Sequence, residues 1–446
     1  MKDKIVILGA GESGVGAAIL AVHQGFTVFV SDGSLIVNGR KEELSSRGIS
    51  FEEGGNTENL ILDASIVIKS PGVPETAPIV QEIKAHGIPV ISEIEFAYRY
   101  KGDSKVVAIT GTNGKTTTTT MTFKILEEAG YDVAMVGNIG FSFARQVAEN
   151  PKKYYVAEIS SFQLDDITSF RPDVSVLTNI TEDHLDRYDH KFENYIAAKF
   201  NIIKYQTAED VFIYNDDDEV TKQYLTHFIN QVKALPISMR KKIPQGAFIS
   251  DHEMHIKFKD EQINMSVDDF ALKGKHNAYN SMAASLSSMA VGVKKPSIRT
   301  ALSTMESLEH RMQFVATIGG IDFINDSKAT NVNSTWYSLE SMEKPVVLIL
   351  GGVDKGNDYR ILYDLVKEKV HAIVCMGIDN AKIHRNFEGM VNTIEDATSA
   401  EDAVKVTFRL ANKGDVVLLS PACASFDLFK NYEDRGHQFI NAVKNL

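Results

Sequence analysis

Short apolar runs alternate with helical stretches along the whole 446-residue chain. The runs are nearly continuous in Val, Ile and Leu, which is typical of strands buried on both faces of a parallel sheet. Strand–helix alternation of this kind predicts right-handed βαβ units and an α/β fold. The predicted strands are Lys4–Leu8, Phe26–Val30, Ile66–Lys69, Val106–Thr110, Tyr155–Ile159, Val174–Ile180, Val346–Leu350, Ala372–Met376 and Val416–Leu419.

Two glycine-rich turns, each between a predicted strand and a predicted helix, indicate how the chain divides into domains. They lie at Gly9–Gly14 and Gly111–Lys115, and a third βα array begins near Val346. Because one sheet rarely carries two phosphate loops, we predict three domains. These are a Rossmann-like N-terminal domain (1–93), a central P-loop ATPase-like domain with a mostly parallel sheet (94–307) and a Rossmann-like C-terminal domain (308–446). The irregular stretch 239–269 predicts a small antiparallel insertion.

Composition excludes several classes of protein. With 47 basic and 59 acidic residues the net charge is −12, so a broad nucleic-acid-binding face is not expected and any cationic site must be local. Two cysteines, Cys375 and Cys423, are too few for a disulfide framework and indicate a reduced, intracellular chain. No apolar run approaches the roughly 18 residues that a membrane helix needs. We therefore expect a cytoplasmic protein that contacts neither nucleic acid nor membrane.

The first glycine turn matches G-x-G-x-x-G, with Gly9, Gly11 and Gly14 between a strand and an Ala-rich helix. Asp32 ends the next predicted strand, near the distance at which an acid binds a ribose hydroxyl. Free N–H groups at the helix N-terminus favour an anion. The pattern predicts a nucleotide or diphosphate site. The alternative is a tight turn that only packs a helix on a strand.

The second glycine turn resembles a P-loop, although Ile109 stands where the first glycine of G-x-x-x-x-G-K-[ST] is expected. Its backbone N–H groups would cradle phosphate, Lys115 would reach the β- and γ-phosphate oxygens, and Thr116 would hold Mg²⁺. A lysine between Gly114 and Thr116 at a helix start has few packing uses. We predict that this turn binds ATP.

Polar residues at other strand ends are candidates to meet that phosphate. Glu158 closes one predicted strand, His184 lies just past another, and Asn138 follows residues 133–136. Strands of one parallel sheet end at the same edge, so Glu158 and His184 are expected near the γ-phosphate and Mg²⁺. Taken alone, Glu158 could equally be a salt-bridge partner and His184 a turn or cap residue. Lys199 lies in an apolar helix, where the residues alone favour a solvated lysine.

Four short polar segments, here called polar islands, occur in the last third of the chain, each beside a predicted strand. Basic and hydroxyl side chains in them suit anionic ligands, although helix N-caps favour the same residue types. We expect Cys423 to be a small buried cysteine and not a nucleophile. The islands are Glu309–Arg311, Asn325–Asn331, Gly351–Gly356 and Ser420–Asp427.

Seven strings, in their order along the chain, resemble the Mur ligase family of peptidoglycan synthesis over essentially the whole length. Two of them, at 325–331 and 420–427, resemble the D-glutamate-adding member. The Asp-Asn-Pro-Arg string typical of diaminopimelate- or lysine-adding members is absent from the sequence. The strings are Gly111–Thr117, Glu158–Gln163, Thr178–Asp186, Gly274–Asn277, Glu309–Arg311, Asn325–Asn331 and Ser420–Asp427.

The resemblance implies an ADP-forming ligase that makes an amide bond during cell-wall biogenesis, and so serves cell shape and division. ATP would phosphorylate the L-alanine carboxylate of UDP-N-acetylmuramoyl-L-alanine, and the D-glutamate amine would displace phosphate from the acyl phosphate. The cofactors implied are ATP and Mg²⁺. A monomer is expected, with the small-molecule substrates UDP-N-acetylmuramoyl-L-alanine and D-glutamate as its partners.

The resemblance also implies roles for individual residues. Lys115, Glu158, His184 and Lys199 are the expected catalytic residues. The expected ATP contacts are Gly111, Thr112, Asn113, Gly114, Lys115, Thr116, Thr117, Thr118, Asn277, Arg311 and Asp326. The expected metal ligands are Thr116, Glu158, His184 and a carbamylated Lys199. The expected UDP-substrate contacts are Ser13, Gly14, Asp32, Asn138 and Gln163. The expected D-glutamate contacts are Thr330, Lys355, Ser425 and Phe426.

Two rival functions remain open. An oxidoreductase could bind NAD at the first glycine turn, but it would leave Lys115 without a use. A nucleotide-dependent switch protein would hydrolyse ATP without requiring an amino acid.

Overall fold

The computed structural model describes residues 3–228, 232–305 and 309–446. The chain divides into two compact units. One comprises Met1–Phe270 and Asn277–Met305, and the other comprises Ala271–His276 and Glu306–Leu446. Three mostly parallel sheets carry the fold, two in the first unit and one in the second, so the α/β prediction is confirmed. None of the helices in the described ranges is long and apolar enough to cross a bilayer.

The first sheet has five parallel strands in the order β3-β2-β1-β4-β5, the order of a Rossmann-like half. Leu8 pairs with both Ser31 and Lys69, so the first glycine turn leaves the sheet beside the ends of two neighbouring strands. The strands are β1 (Lys4–Leu8), β2 (Thr27–Asp32), β3 (Ser50–Glu53), β4 (Ile66–Lys69) and β5 (Val90–Ser92). The helices are α1 (Glu12–His23), α2 (Asn38–Ser46), α3 (Glu58–Ile61), α4 (Pro78–Ala85) and α5 (Glu93–Tyr100).

The second sheet has nine strands in the order β14-β13-β12-β11-β10-β9-β6-β8-β7. The predicted antiparallel insertion is present, but it extends the edge of this sheet because β12 pairs with β11. The strands are β6 (Lys105–Thr110), β7 (Val133–Gly137), β8 (Tyr154–Glu158), β9 (Val174–Leu177), β10 (Val211–Asn215), β11 (Lys233–Ser238), β12 (Gly246–Ser250), β13 (Glu253–Phe258) and β14 (Glu261–Ser266). The helices are α6 (Lys115–Glu128), α7 (Phe143–Glu149), α8 (Ser161–Asp165), α9 (Phe192–Phe200), α10 (Glu219–Leu225), α11 (Lys275–Ala290) and α12 (Lys295–Thr304).

The third sheet, in the second unit, has six strands in the order β15-β16-β20-β17-β18-β19. Only β15 runs antiparallel to its neighbour, so the ends of β16, β20 and β17 lie side by side. The strands are β15 (Gln313–Ile318), β16 (Ile321–Asn325), β17 (Val346–Leu350), β18 (Val370–Met376), β19 (Thr393–Ala397) and β20 (Val416–Leu419). The helices are α13 (Val332–Glu340), α14 (Tyr363–Lys369), α15 (Ala381–Phe387), α16 (Ala400–Leu410) and α17 (Tyr432–Lys444).

The polar stretch 99–105 lies between the first two sheets and is only partly a linker. Arg99 and Tyr100 complete α5, and Lys105 already belongs to β6. The sheet changes between β5 and β6, next to the boundary predicted at 93–94. That boundary and the one at 307–308 stay predictions.

A buried carboxylate on α5 joins the N-terminal and central segments of the first unit. Glu95 Oε2 accepts hydrogen bonds from three successive backbone N–H groups, those of Thr168 (3.0 Å), Ser169 (2.9 Å) and Phe170 (2.8 Å). Its Oε1 accepts from Arg99 Nε at 3.0 Å. Burial alone would raise the pKa of Glu95, but these hydrogen bonds outweigh it and lower the pKa. The ionised side chain therefore stabilises the fold.

We expect Glu95→Ala to lower the free energy of unfolding by about 3 kcal/mol at neutral pH, because buried N–H groups lose their acceptor. A lowered pKa in the folded state means that this contribution is present above the ordinary value of 4.5 and fades as pH falls through the folded value. Denaturant titrations over a pH series measure the effect, with exposed Glu42→Ala as the control. An equal loss in the two variants would contradict the assignment.

Candidate active site

The second glycine turn connects β6 to α6 and is hydrogen-bonded to the segment that follows β9. Asn113 N–H donates to Asn179 Oδ1 at 3.0 Å, and Thr178 Oγ1 donates to the Asn113 carbonyl at 2.6 Å. Thr112 Oγ1 donates to the Thr181 carbonyl at 3.0 Å. Gly111 has φ 145°, and a Cβ there would lie 1.9 Å from Thr178 Oγ1. The loop is thus held in a shape that only glycine permits at this position.

Two lysines meet at one carbonyl oxygen of this loop. Lys115 Nζ donates to Gly111 O at 2.8 Å and to Thr112 O at 2.8 Å. Lys199 Nζ, from α9, donates to the same Gly111 oxygen at 2.7 Å and lies 4.5 Å from the centre of the Tyr195 ring. The structure therefore brings two of the predicted catalytic residues together.

Lys199 is 1% exposed, so the solvated lysine that the residues alone favoured is wrong. The helical pattern placed it on an apolar face but did not show that α9 packs this face against the phosphate loop. Burial, and then the charge of Lys115, lower the pKa of Lys199 well below its ordinary value. Carboxylates at Asp183, Asp165 and Glu158 oppose the shift without cancelling it. The amine is accordingly biased towards its neutral form.

Glu158 ends β8, next to β6, and its side chain is buried. Oε1 accepts from Asn138 Nδ2 at 2.8 Å, while Oε2 is buried without a hydrogen-bond partner among the described residues. His184 follows β9 in a left-handed conformation, with φ 54°. Its ring packs edge-on against Phe162, 5.2 Å between centres, so the segments after β8 and β9 meet there.

The remaining residues of the loop and of the following helix differ in accessibility. Thr116 and Gly114 are half-buried, while Thr117 and Thr118 are buried. Thr118 Oγ1 donates to Asn280 Oδ1 at 3.1 Å, so its hydroxyl already has a protein acceptor. Asn277, one turn before Asn280 on α11, accepts from Asn280 Nδ2 at 3.3 Å.

The first glycine turn opens α1, as predicted. A Cβ at Gly14 would lie 1.8 Å from the Gly9 carbonyl, so close packing in the turn requires glycine there. Asp32 Oδ2 accepts from Ala10 N–H at 2.7 Å, and Oδ1 accepts from Ser34 N–H at 2.8 Å. Ser13, in the first turn of α1, is half-buried.

Gln163 is expected at the UDP-substrate, but its side chain also completes a helix cap. Oε1 accepts from Ser160 N–H at 2.9 Å, and Ser160 Oγ accepts from Gln163 N–H at 3.4 Å. This capping box starts α8. The local sequence predicts it, because Ser160 and Gln163 have the spacing that a capping box needs.

In the second unit, Asp326 is a buried carboxylate at the end of β16. Oδ2 accepts from Ser420 Oγ at 3.1 Å and from Ser338 Oγ, and Oδ1 accepts from Met312 N–H at 3.3 Å. Burial raises the pKa of Asp326 to about 6, although these donors and the charge of Arg311 oppose the rise. The end of β16 is thereby tied to β20 and α13.

The residues expected at D-glutamate lie on neighbouring loops with different exposures. Ser425 is buried, Thr330 is half-buried, and Lys355 and Phe426 are exposed. The loops after β17 and β20 are joined by hydrogen bonds between the main chains of residues 353 and 424, at 2.8 and 3.3 Å. Cys423 is buried as expected, and burial raises the pKa of its thiol to about 11.

Arg435, on α17, was missed by the sequence analysis although it organises these loops. The guanidinium is fully buried and donates to Ser327 Oγ (2.9 Å), Ser327 O (2.8 Å) and Cys423 O (3.2 Å). Its position four residues before buried Phe439, on the same helix face, could have indicated an inward-facing arginine. Asn280 was also missed, and its i+3 spacing from Asn277 was the available signal.

Two groups of potential metal ligands occur within the described parts of the chain, and neither contains a predicted metal ligand. One is Glu309, His310 and His437, and the other is Cys375, His384 and Asp396. His384 Nε2 lies 3.1 Å from Asp396 Oδ1, and His310 Nδ1 lies 2.8 Å from Asn325 Nδ2. Both groups therefore already take part in hydrogen bonds of the fold.

Comparison with known proteins decides the family. Three family models match along the chain: "Mur ligase MurD-like, N-terminal domain" over residues 3–92, "Mur ligase middle domain" over 109–288 and "Mur ligase, glutamate ligase domain" over 310–423. The UDP-N-acetylmuramoylalanine–D-glutamate ligase of Bacteroides thetaiotaomicron is 52% identical over 99% of this chain and 100% of its own. The chain belongs to the Mur ligase family.

Further members of the family are similar at the level of sequence or fold. The ligase of the same name from Christiangramia forsetii is 50% identical over 100% of both chains. Among solved structures, UDP-N-acetylmuramate-alanine ligase from Thermotoga maritima aligns with a TM-score of 0.62 at 16% identity, covering 100% of both chains. A pseudomurein peptide ligase from Methanothermus fervidus aligns with a TM-score of 0.62 at 19% identity, covering 99% of both. At these identities the structures support the three-domain Mur ligase fold alone.

Asp326→Asn should become more stable relative to the wild type as pH rises. The folded pKa of about 6 exceeds the ordinary 3.8, so ionisation between these values destabilises the wild type and the penalty is complete above them. We expect the difference in unfolding free energy to grow by about 1 kcal/mol from about pH 5 to about pH 7.5. Thermal or denaturant unfolding at the two pH values measures it.

Asp322→Asn, on the same strand, is the matched control. A hydrogen bond from Lys344 lowers the pKa of Asp322 below 3.8, so its contribution is lost only in more acidic solution. Its effect should not change between the two pH values. The same pH trend in both variants would contradict the role given to burial at Asp326.

Proposed function

We propose that this Mur ligase joins D-glutamate to UDP-N-acetylmuramoyl-L-alanine with conversion of ATP to ADP and phosphate. The observation that carries the proposal is the meeting of Lys115 and the buried Lys199 at Gly111 O, in a chain whose 50–52% identical relatives bear that ligase name over their full length. An ATP-dependent amide ligase needs cationic groups at a transferring phosphoryl group, and this loop places Lys115 beside a buried lysine that is suited to carry a metal-binding carbamate.

The reaction has two steps. An oxygen of the L-alanine carboxylate attacks the γ-phosphorus of ATP, the bond to the β-phosphate oxygen breaks, and ADP leaves. The D-glutamate amine then attacks the acyl carbon of the acyl phosphate, loses a proton, and the tetrahedral intermediate expels phosphate to leave an amide. Lys115 and the backbone N–H groups of the first turn of α6 are proposed to stabilise charge on the phosphate oxygens.

The donor set near the loop fits Mg²⁺. Glu158 Oε2 is a buried oxygen without a hydrogen-bond partner among the described residues, which is the state expected of a ligand atom whose cation is not part of the structure. Thr116, His184 and a carbamate on Lys199 complete the proposed ligand set. Bound Mg²⁺ would neutralise charge on the phosphoryl oxygens. Asn138 orients Glu158 by donating to its other oxygen.

Carbamylation is chemically suited to Lys199. Its lowered pKa favours the neutral amine, whose lone pair attacks carbon dioxide. The N–C bond forms as one C=O π bond of carbon dioxide opens to a carboxylate oxygen, and the nitrogen loses one proton to solvent, so the neutral buried amine becomes an anion. The adjacent Lys115 would then face an opposite charge.

The substrate-binding residues follow from the same sheet edges. Ser13, Gly14 and Asp32, with Asn138 and Gln163, form the proposed UDP-substrate site, where α1 offers its N-terminal N–H groups to an anion. Asp32 accepts from Ala10 N–H of the first glycine turn and from Ser34 N–H of its own turn, so we give that residue a role in shaping both loops as well.

The remaining proposed contacts come from the later matched strings of the chain. Asn277, Arg311 and Asp326 are proposed to contact the nucleotide, and the support is their place in the matched strings. Thr330, Lys355, Ser425 and Phe426 are proposed to contact D-glutamate. Lys355, being exposed, can reach a substrate carboxylate.

Location and assembly remain predictions. Both cysteines, Cys375 and Cys423, are free and buried, which suits a reducing cytoplasm. We propose a monomer whose partners are its small-molecule substrates.

The decisive assay is phosphate release from ATP with UDP-N-acetylmuramoyl-L-alanine, measured with and without D-glutamate. We expect release to depend on both substrates, and mass spectrometry to detect the amide product. L-Glutamate is the control for the amino-acid site. Release that ignores D-glutamate would contradict the ligase and support the switch protein, in which ATP is hydrolysed without amide formation.

Lys199→Ala should lower the activity roughly a hundredfold or more, because the proposed carbamate that helps to hold Mg²⁺ at the phosphate loop is lost. Short carboxylic acids added to the assay should restore part of it by occupying the vacated space. Lys191→Ala, an exposed lysine beside the same helix, should keep full activity. A Lys199→Ala enzyme with wild-type activity would refute the carbamate.

A further inference from the structure

Lys69 is a buried lysine that the proposed ligase chemistry does not use. It ends β4 and is 3% exposed. Its Nζ lies 2.9 Å from Glu75 Oε1, 3.0 Å from Asp166 Oδ2 and 3.3 Å from the Val73 carbonyl oxygen. The ammonium group therefore donates one hydrogen bond to a carbonyl and lies within ion-pair distance of two carboxylates. Burial lowers the pKa of Lys69, but the carboxylates of Asp166 and Glu75 outweigh it and raise the pKa.

Asp166 follows a strand of the second sheet, whereas Lys69 ends a strand of the first. It caps the C-terminus of α8, the short helix that begins just after β8 and Glu158. The ion pair therefore connects the end of β4 in the first sheet to the segment that leaves β8 in the second. Exposed pairs contribute little, but breaking a buried pair leaves an uncompensated charge. This contact is accordingly a strong constraint on where the chain lies after Lys69.

The residues after Lys69 form a loop, 70–75, that lies against the first glycine turn. Ser70 N–H donates to the Leu8 carbonyl at 2.9 Å, and Ser70 Oγ donates to the Gly9 carbonyl at 3.2 Å. Val73 N–H donates to the Ser70 carbonyl at 3.0 Å. The loop is thus one wall of the turn at which the UDP-substrate is proposed to bind.

A second contact holds the same loop from the segment after β9. Arg187 Nη2 donates to the Pro71 carbonyl at 3.3 Å, and the guanidinium lies 4.5 Å from the centre of the Phe162 ring. Phe162 follows Glu158, and Arg187 follows His184. The loop is therefore held by both segments that carry the proposed metal ligands.

We propose that Lys69 is a positioning residue for the UDP-substrate site. Its contacts with Glu75 and the Val73 carbonyl hold loop 70–75 against the first glycine turn. Its contact with Asp166 fixes the same loop relative to the segment that follows Glu158. Lys69 acts through the loop and does not itself meet the substrate. This inference rests on the proposed function, because it takes the first glycine turn as the UDP-substrate site.

The test compares Lys69→Met with Lys84→Met. Both remove a lysine that pairs with Glu75, but Lys84 is exposed and is not paired with Asp166. We expect Lys69→Met to raise Kd and KM for UDP-N-acetylmuramoyl-L-alanine about tenfold, with kcat and the KM for ATP changed less than about twofold. Lys84→Met should leave all four values unchanged. Calorimetry gives Kd and phosphate release gives the kinetic constants.

Asp166→Asn tests the same contact while Glu75 still compensates Lys69, and it carries the test if Lys69→Met does not fold. We expect the same selective loss of UDP-substrate binding, and no further loss when both changes are combined. Wild-type Kd in either folded variant would overturn the proposal, and so would an equal rise in the KM for ATP. A wild type that binds the UDP-substrate but forms no amide would contradict the proposed function alone.

Discussion

The carbonyl oxygen of Gly111 is the contact on which the phosphate site depends. It accepts from Lys115 on its own loop and from Lys199 on α9, so it fixes where both amines lie. Burial penalises the charge of Lys199, and the ammonium group of Lys115 at the same oxygen repels it, which explains why the pKa of Lys199 falls. During folding a lysine can be buried at this position as a neutral amine. A glutamate or aspartate there would instead place a second negative charge beside Glu158. Carbamylation after folding would then supply the anion.

Parallel strands explain how residues distant in sequence reach that loop. The strand order places β6 between β9 and β8, so the segments leaving all three begin at one edge. Two buried charged contacts connect the first sheet to the second. Glu95 accepts hydrogen bonds from three backbone N–H groups of the segment before β9, and Lys69 forms an ion pair with Asp166 in the segment after β8. Apolar packing in place of either contact would not fix the orientation of the two segments, because hydrogen bonds and ion pairs are directional whereas apolar contacts are not.

Strand-level features of the fold were predictable from the sequence, because buried parallel strands have a distinctive composition. The phosphate loop and Glu158 followed from motifs at strand ends. The burial of Lys199 did not follow from periodicity, since an apolar helix face does not say what covers it. The pair of Lys69 with Asp166 was not predictable either, because it depends on how two sheets pack. Arg435 was missed for the same reason, as its acceptors lie on two other loops.

Buried ionisable groups in this fold fall into two kinds, according to whether their surroundings shift the pKa towards the charged or the neutral form. Glu95 is surrounded by hydrogen-bond donors and Lys69 by two carboxylates, and their pKa values shift in the direction that favours the charged form. Lys199 and Asp326 shift towards the neutral form, and Glu158 retains a buried oxygen without a partner among the described residues. Asp326 nevertheless holds the fold through its protein donors, whereas the unpartnered oxygen of Glu158 and the neutral amine of Lys199 suit the Mg²⁺ ligand and the carbamate proposed for them.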